Sequence, residues 1–221
     1  MKTYFFSSAL IVSVVLLLSY PFAFSEETSD TLLQRIETVY GTADDLTAEF
    51  VQKTSLEGFG ERTARGTLYL KKDRMARWDY RTPTKQKIFV SGNRVVLYDP
   101  EAKRAVIQDV AGHPDAEPAL GLLSRIDSWR THYEVRLLPE TAATPASRVS
   151  FELIPRKQNR IEKIRITADR ETGLITRLTL HEKEGARVAF EFSGIRFNQG
   201  LKTDLFEFTI PRGVDILEVP R

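Results

Sequence analysis

Four short apolar segments separated by turn signals lie within residues 65–100, and they constrain the fold more than any other part of the chain. The breaks fall at residues 71–74, 82–84 and 91–93, which are rich in charged residues, proline, glycine and asparagine. Breaks of this kind end strands and form tight turns. The spacing therefore predicts four consecutive strands that run antiparallel and meander.

Three of these predicted strands have one apolar face. Because side chains alternate between the two faces of a strand, residues two positions apart share a face. The apolar pairs that follow from this rule are Leu68 with Leu70, Trp78 with Tyr80, and Ile88 with Val90. The positions between them are mostly polar. The sheet therefore has one apolar side that another part of the chain must cover.

Strand and helix patterns continue through the rest of the chain. Further strands are predicted at residues 46–54, 104–110, 133–138, 148–154, 161–168, 175–182, 188–197 and 206–210. Helical spacing predicts one short helix from an N-cap at Ser29 to Gly41 and another over residues 115–126. The expected fold is α+β and mainly β, an incomplete and curled antiparallel β-barrel of about eleven strands.

The predicted helices can cover the concave face of such a sheet but can hardly fill it. Curled sheets of about eight strands are filled by their own side chains, and wider ones leave a cavity. We therefore predict an apolar cavity, which would be lined by Leu68, Leu70, Trp78, Tyr80, Ile88, Val90, Phe151, Leu153, Ile164, Ile166, Leu178, Leu180, Phe190 and Phe192. The lid would carry Leu33, Ile36, Leu122 and Leu123. Taken singly, each residue is better explained as ordinary core, so the prediction depends on the whole set.

The first 25 residues have the pattern of a secretory signal peptide. Lys2 precedes an apolar run over residues 4–18, and the small residues Ala23 and Ser25 stand where cleavage before Glu26 requires them. The run is shorter than the about 20 residues that a membrane-spanning helix needs. We expect residues 1–25 to be removed and residues 26–221 to form a single soluble, exported domain.

Composition and motif content argue against several classes of protein. The 32 basic and 30 acidic residues nearly balance, which argues against a nucleic-acid partner. The chain has no cysteine, so no disulfide and no lipidated N-terminal cysteine are expected. His113, His132 and His181 lack metal-ligand spacing, and the sequence has no GxSxG or HExxH motif. We predict a protein that is not an enzyme and needs no metal or cofactor.

Several short motifs follow one another along the chain. They are FxQ at residues 50–52, GxLxLK at 66–71, RWxY at 77–80, YDP at 98–100, Trp129, the Phe151, Leu153 and Pro155 trio, the turn at 173–175, and an FxF…PxGV ending that starts at Phe206. In their order and spacing they resemble the LolA-like periplasmic outer-membrane lipoprotein carriers. The resemblance covers residues 26–221 almost end to end. The order and spacing of the motifs are more specific than any one of them.

This resemblance implies a periplasmic chaperone that receives triacylated lipoproteins from an inner-membrane release ABC transporter. It would bury their acyl chains and pass them to an outer-membrane acceptor, acting as a monomer. Family members usually have a basic residue followed by proline where this chain has Lys72 and Asp73, and the basic side chain is implied to hold the lid shut. Lys72 and Arg74 are thus candidate latch residues, and a solvated turn explains them at least equally well.

The leading alternative is a lipid-binding envelope sensor, or a carrier of other lipids, on the same scaffold. Sensors that resemble this chain usually carry a second domain after the sheet, whereas this chain ends shortly after its last predicted strand. The carrier is therefore favoured. An enzyme that acts on envelope lipids is a third and weaker alternative, because the catalytic motifs are missing.

Overall fold

The structure is a computed structural model that describes residues 27–110, 122–123, 126–141, 145–158 and 160–219. The predicted signal peptide, His113 and most of the helix predicted at residues 115–126 lie outside the described residues. Within the described ranges, no helix is long and apolar enough to cross a membrane.

One twelve-stranded sheet forms the body of the described structure. Its strands are β1 Asp45–Leu56, β2 Gly60–Lys71, β3 Met75–Thr82, β4 Lys87–Ser91, β5 Arg94–Asp99, β6 Arg104–Asp109, β7 Tyr133–Leu137, β8 Arg148–Pro155, β9 Ile161–Asp169, β10 Ile175–Glu182, β11 Arg187–Phe197 and β12 Asp215–Val219. Their order in space is β12-β6-β5-β4-β3-β2-β1-β11-β10-β9-β8-β7. The mainly β, open and curled sheet predicted from the sequence is confirmed, and the barrel is not closed.

The register of the strands places the predicted inward residues side by side. Leu68 on β2 lies opposite Trp78 on β3, which in turn lies opposite Ile88 on β4. In the other half of the sheet, Ile166 on β9 pairs with both Phe151 and Leu178. Because directly paired residues share a face, these rows give the sheet one continuous apolar side.

Helix α1, Ser29–Thr42, packs on this apolar side. Its N-cap is Thr28, whose hydroxyl accepts a hydrogen bond from the backbone N–H of Thr31 at 3.2 Å. The predicted cap, Ser29, is instead the first helical residue. Leu32, Leu33 and Ile36 are buried. Their spacing makes one apolar stripe, which explains why the helix lies flat on the sheet.

A second helical segment precedes β7. It consists of a 3₁₀ turn, Ile126–Ser128, and the single-turn helix α2, Trp129–His132. The buried indole of Trp129 donates a hydrogen bond to the carbonyl oxygen of Leu122 at 3.0 Å. This contact fixes the backbone that carries the buried side chains of Leu122 and Leu123.

The prediction of a strand at residues 206–210 is wrong. The chain there leaves a 3₁₀ turn, Thr203–Phe206, and crosses the outer face of the sheet, opposite α1. Arg77 on β3 donates to the carbonyl oxygen of Leu205 at 3.0 Å, and the ring of Phe208 packs 5.4 Å from that of Phe89 on β4. Side chains of the sheet, rather than a neighbouring strand, therefore hold this segment.

The crossing segment also sets the direction of β12, the last strand, relative to its neighbour β6. Asp45 is buried, and its carboxylate accepts hydrogen bonds from the backbone N–H groups of Gln199 and Leu201, at 2.7 and 2.8 Å, where the crossing begins. The segment ends as β12, which pairs with β6 in parallel. A crossover is what allows parallel pairing, so the prediction of a purely antiparallel sheet is corrected at this edge.

Gly66 lies so close to neighbouring atoms that a side chain at this position would clash with them. A Cβ at this position would lie 2.2 Å from the carbonyl oxygen of Asp79 and 2.7 Å from the ring of Phe50. We expect G66A to lower the free energy of unfolding by about 1–3 kcal/mol through overpacking. Urea unfolding curves measure this change.

Gly41 supplies the matched control for that substitution. It lies in the last turn of α1, and a Cβ there would meet no atom within 4 Å. We expect G41A to raise the free energy of unfolding by about 0.5–1 kcal/mol, since alanine restricts the unfolded chain and favours helix. Equal destabilisation by the two variants would show that steric crowding is not the reason for Gly66.

Candidate functional site

The residues predicted to line a cavity lie together in one apolar cluster between the sheet and the helical segments. Tyr80 and Ile88 are half-buried at its margin, and the others are buried, with exposures from 0% at Leu153 to 8% at Phe192. The predicted lid residues Leu33, Ile36, Leu122 and Leu123 belong to the same cluster. We call α1 together with the described residues 122–123 and 126–132 the lid segments.

Aromatic rings occupy the middle of this cluster. The ring of Phe50 lies 5.0 Å, centre to centre, from both Trp78 and Tyr80, in edge-to-face contact. Trp78 lies 5.0 Å from Phe190 in turn. Phe50 was missing from the residues predicted to line the cavity. The alternation of Leu46, Ala48 and Phe50 along β1 is the signal that places it on the inner face.

One side-chain hydrogen bond joins two of the sequence motifs. The hydroxyl of Tyr80, from RWxY, donates to the amide oxygen of Gln52, from FxQ, at 2.7 Å. The amide nitrogen of Gln52 donates to the hydroxyl of Thr54 at 3.0 Å. Burial raises the pKa of Tyr80 to about 12, because a phenolate would lose its solvation there. The two motifs thus supply a satisfied polar pair at the margin of the apolar cluster.

A cavity of about 510 Å³ opens beside the lid segments, at the ends of β1 and β2. Its apolar wall includes Leu46, Leu70, Leu123 and Ile126. Its rim is charged and carries Asp44, Lys71, Lys72, Asp73, Arg74 and Asp127. A volume of this size lies within the range of small-molecule pockets.

The two candidate latch residues contact different parts of this rim. The ammonium of Lys72 lies 2.6 Å from a carboxylate oxygen of Asp44, in the connection between α1 and β1, and holds the pKa of that carboxyl below its usual range. Arg74 donates to the side-chain oxygen of Asn93, in the turn between β4 and β5, at 2.9 Å. Lys72 therefore fastens the end of a lid segment, while Arg74 braces two turns of the sheet.

Helix α1 is attached to the sheet through the turn between β9 and β10. The hydroxyl of Tyr40 accepts a hydrogen bond from the backbone N–H of Ile175 at 3.0 Å, and burial raises the pKa of Tyr40. The guanidinium of Arg35 donates to the carbonyl oxygen of Arg170. Gly173 passes so close to Arg35 that an added Cβ would lie 3.1 Å from its side chain. These contacts fix α1 over β9 and β10.

Arg130 ties the second lid segment to α1. It donates to Asp30 at 3.0 Å and to Glu37 at 3.1 Å, and these hydrogen bonds raise the pKa of its guanidinium. Asp30 and Glu37 lie two turns apart on one side of α1, so one side chain spans both. The pairs are partly solvated, and their strength should therefore depend on salt.

The described residues include no group of three or more His, Asp or Glu side chains that could hold a metal ion. The Nδ1 atom of His132 lies 3.0 Å from the carbonyl oxygen of Ser128, one turn earlier. His181 lies on β10, and burial, with nearby Arg165 and Arg187, lowers its pKa. These two histidines do not form a shared site.

The described residues thus define a mainly β class of protein, in which a curled, open sheet is covered on its apolar side by short helical segments. Residues 41–209 match the family described as outer membrane lipoprotein carrier protein LolA. The chain belongs to this family. The resemblance seen in the sequence motifs is thereby confirmed.

Individual relatives agree with this assignment. The outer-membrane lipoprotein carrier protein of Azotobacter vinelandii is 27% identical over 209 residues, which cover 93% of this chain and 97% of that protein. The protein of the same name from Pseudomonas aeruginosa is 28% identical over 189 residues, covering 84% and 87%. A solved structure of an uncharacterized conserved protein from Thermus thermophilus is similar in fold, with a TM-score of 0.54 at 11% identity and 86% and 98% coverage.

The Tyr80 to Gln52 hydrogen bond gives a prediction about alkaline stability. Unfolded, Tyr80 loses its proton near pH 10, whereas in the folded chain it keeps the proton to about pH 12. The unfolded state therefore binds fewer protons between these values, and the free energy of unfolding falls as pH rises through this window. Across this pH window, the free energy of unfolding of Y80F should fall by about 2 kcal/mol less than that of the wild type.

Urea unfolding at neutral pH and at about pH 11 to 12 measures this difference. At neutral pH we expect Y80F to be about 1–2 kcal/mol less stable than the wild type, because the oxygen of Gln52 loses its donor. Tyr40 titrates in the same direction in both proteins and so leaves the comparison unchanged. Parallel pH profiles for the two proteins would contradict the prediction.

The contacts of Arg130 give a second prediction. R130Q removes both ion pairs and keeps a side chain of similar length, so we expect a loss of about 0.5–1.5 kcal/mol of stability at low salt, most of which disappears in about 1 M salt. R136Q is the control, because Arg136 pairs with Glu134 on its own strand. Equal losses in the two variants, or a loss that salt leaves unchanged, would exclude a special role for Arg130.

Proposed function

We propose that this protein is a periplasmic carrier that holds the acyl chains of lipoproteins between the concave face of its sheet and the lid segments. The observation that carries this proposal is the large apolar side of a twelve-stranded sheet, covered in the described residues by α1 and residues 122–123 and 126–132. Membership of the lipoprotein carrier family supports it. The apolar residues that face inward match the chemistry of a hydrocarbon chain.

Acyl chains could reach this site only by displacing the lid segments, because the inward side chains pack against one another. Some of the polar contacts that hold the lid segments are exposed ion pairs, such as Lys72 with Asp44 and Arg130 with Asp30. Solvent screens such exposed pairs, so they contribute little to stability. A lipid or a docked partner could break these ion pairs easily, so what chiefly holds the lid segments is their apolar contact with the sheet and the hydrogen bonds of Tyr40 and Arg35.

The energetics of hydrocarbon transfer restrict how cargo is passed on. Burying one methylene group is worth about 0.8 kcal/mol, so an acyl chain of about fifteen methylenes costs on the order of 12 kcal/mol to expose to water. Release into the solvent would be far too slow. The carrier must therefore dock its open mouth against the apolar mouth of the acceptor before the chains move.

The proposal extends to location and partners. The signal-peptide pattern over residues 1–25 supports export to the periplasm. There the protein would accept triacylated lipoproteins from an inner-membrane ABC transporter and deliver them to an outer-membrane acceptor. It would act as a monomer, without catalytic activity, cofactor or nucleic-acid partner.

Depletion of the protein should make lipoproteins accumulate in the inner-membrane fraction. An unchanged distribution of lipoproteins between the two membranes would contradict the proposal.

Ile88 offers a direct test of the binding site. It lies at the half-buried margin of the cluster, opposite Trp78, where a carboxylate can still reach water. We expect I88E to fold but to retain at least about tenfold less lipoprotein than the wild type, because acyl chains would have to desolvate the charge. Native mass spectrometry of the purified periplasmic protein measures the bound species.

The matched control places the same charge on an apolar residue far from the site. Phe59, at the tip of the turn between β1 and β2, is 81% exposed. F59E should therefore retain as much lipoprotein as the wild type. Equal retention by I88E, F59E and the wild type would contradict the placement of the acyl chains on the concave face.

A further inference from the structure

The indole N–H of Trp78 lies inside the apolar cluster and has no hydrogen-bond partner among the residues that the structure describes. Trp78 is 1% exposed, so bulk solvent does not contact its ring. Buried N–H groups in proteins are nearly always paired, and an unpaired one is unfavourable. This group therefore calls for a physical explanation.

The surroundings of Trp78 explain why the described part of the chain provides no acceptor for its N–H. Its ring lies 5.0 Å from Phe50, 5.0 Å from Phe190 and 6.3 Å from Phe192, centre to centre. The residues opposite it on the neighbouring strands are Leu68 and Ile88. All of these side chains are hydrocarbons. The N–H is thus a single donor in an otherwise apolar environment.

The polar tips of two other aromatic residues in the described part of the chain are satisfied. The indole N–H of Trp129, which is equally buried, donates to the carbonyl oxygen of Leu122 at 3.0 Å. The hydroxyl of Tyr80, two residues after Trp78, donates to Gln52. The sequence thus provides partners for the polar tips of neighbouring aromatic residues and leaves the donor of Trp78 available to a guest.

We propose that the N–H of Trp78 donates a hydrogen bond to the carbonyl oxygen of a bound acyl group. This inference rests on the proposed function. An acyl chain is hydrocarbon except at the ester or amide group that attaches it to the rest of the lipid, and that group carries one strong acceptor. A single donor in an apolar site matches a ligand with a single acceptor at one end. Trp78 would then position the attachment end of the chain on β3 and favour acyl chains over plain hydrocarbons.

Nuclear magnetic resonance can observe this hydrogen bond directly. The chain has two tryptophans, so ¹⁵N-labelled indoles give two N–H signals, and W129F assigns them. The labelled protein is titrated with a fatty acid methyl ester, a fatty acid N-methylamide and an alkane of matched length. We expect the Trp78 proton to move downfield with the ester or the amide and not with the alkane. The two carbonyl ligands distinguish an ester linkage from an amide linkage.

A substitution that removes only the donor gives the matched affinity measurement. Site-specific incorporation of 3-benzothienylalanine at position 78 replaces the N–H by sulfur and keeps the shape of the ring. In the wild type we expect the carbonyl ligand to bind about three- to tenfold more tightly than the alkane. The variant should lose this preference and keep its affinity for the alkane.

The outcomes separate this inference from the function on which it rests. If ester, amide and alkane all bind and shift the Trp78 signal equally, the hydrogen bond is excluded while the acyl-binding function stands. The same holds if the benzothienyl variant keeps the wild-type preference for carbonyl ligands. If none of the three ligands binds, the proposed function fails and the inference fails with it.

Discussion

The pairing of β1 with β11 is the contact on which the rest of the structure depends. It joins two meanders, β2 to β6 with β12 on one side and β7 to β10 on the other, into one sheet. Its register sets Phe50 opposite Phe192 and Gln52 opposite Phe190. The aromatic centre of the site is therefore assembled from strands far apart in sequence. Without this pairing each meander would expose half of an apolar face, since neither has enough helix to cover it.

Most of the sheet could be predicted from the sequence because a strand with one buried face carries its own signal. Alternation over residues 175–182 predicts β10 with the bounds that it has, and the inward residues of β2, β3 and β4 follow from the same period of two. The crossing at residues 206–210 could not be predicted in this way. Phe206 and Phe208 alternate as in a strand, but Phe208 packs between Phe89 and Tyr98 on the outer face, a tertiary contact that local pattern does not encode.

At the candidate site, the sequence predicts which apolar residues face inward, and their role in binding stays a prediction. The lining residues follow from alternation, but the polar contacts around them depend on partners distant in the sequence. Lys72 was recognised as a basic residue in a turn, yet its partner Asp44 becomes visible only when β1 and β2 are paired. The same holds for Arg130, which reaches across from α2 to both Asp30 and Glu37. Charged residues are frequent on any surface, so sequence alone does not show which of them meet.

A carrier has to bind hydrocarbon tightly enough to shield it from water and weakly enough to release it to an acceptor. An apolar interior satisfies the first need, because the hydrophobic effect is strong and non-directional. The second need is met if the closed protein is less than optimally stable. An unpaired N–H at Trp78 would raise the energy of the closed arrangement by about 1–3 kcal/mol, and a bound carbonyl would recover part of it. That gain is small beside the roughly 12 kcal/mol of an acyl chain. Trp78 can therefore orient the cargo without preventing its transfer to an acceptor that encloses the hydrocarbon equally well.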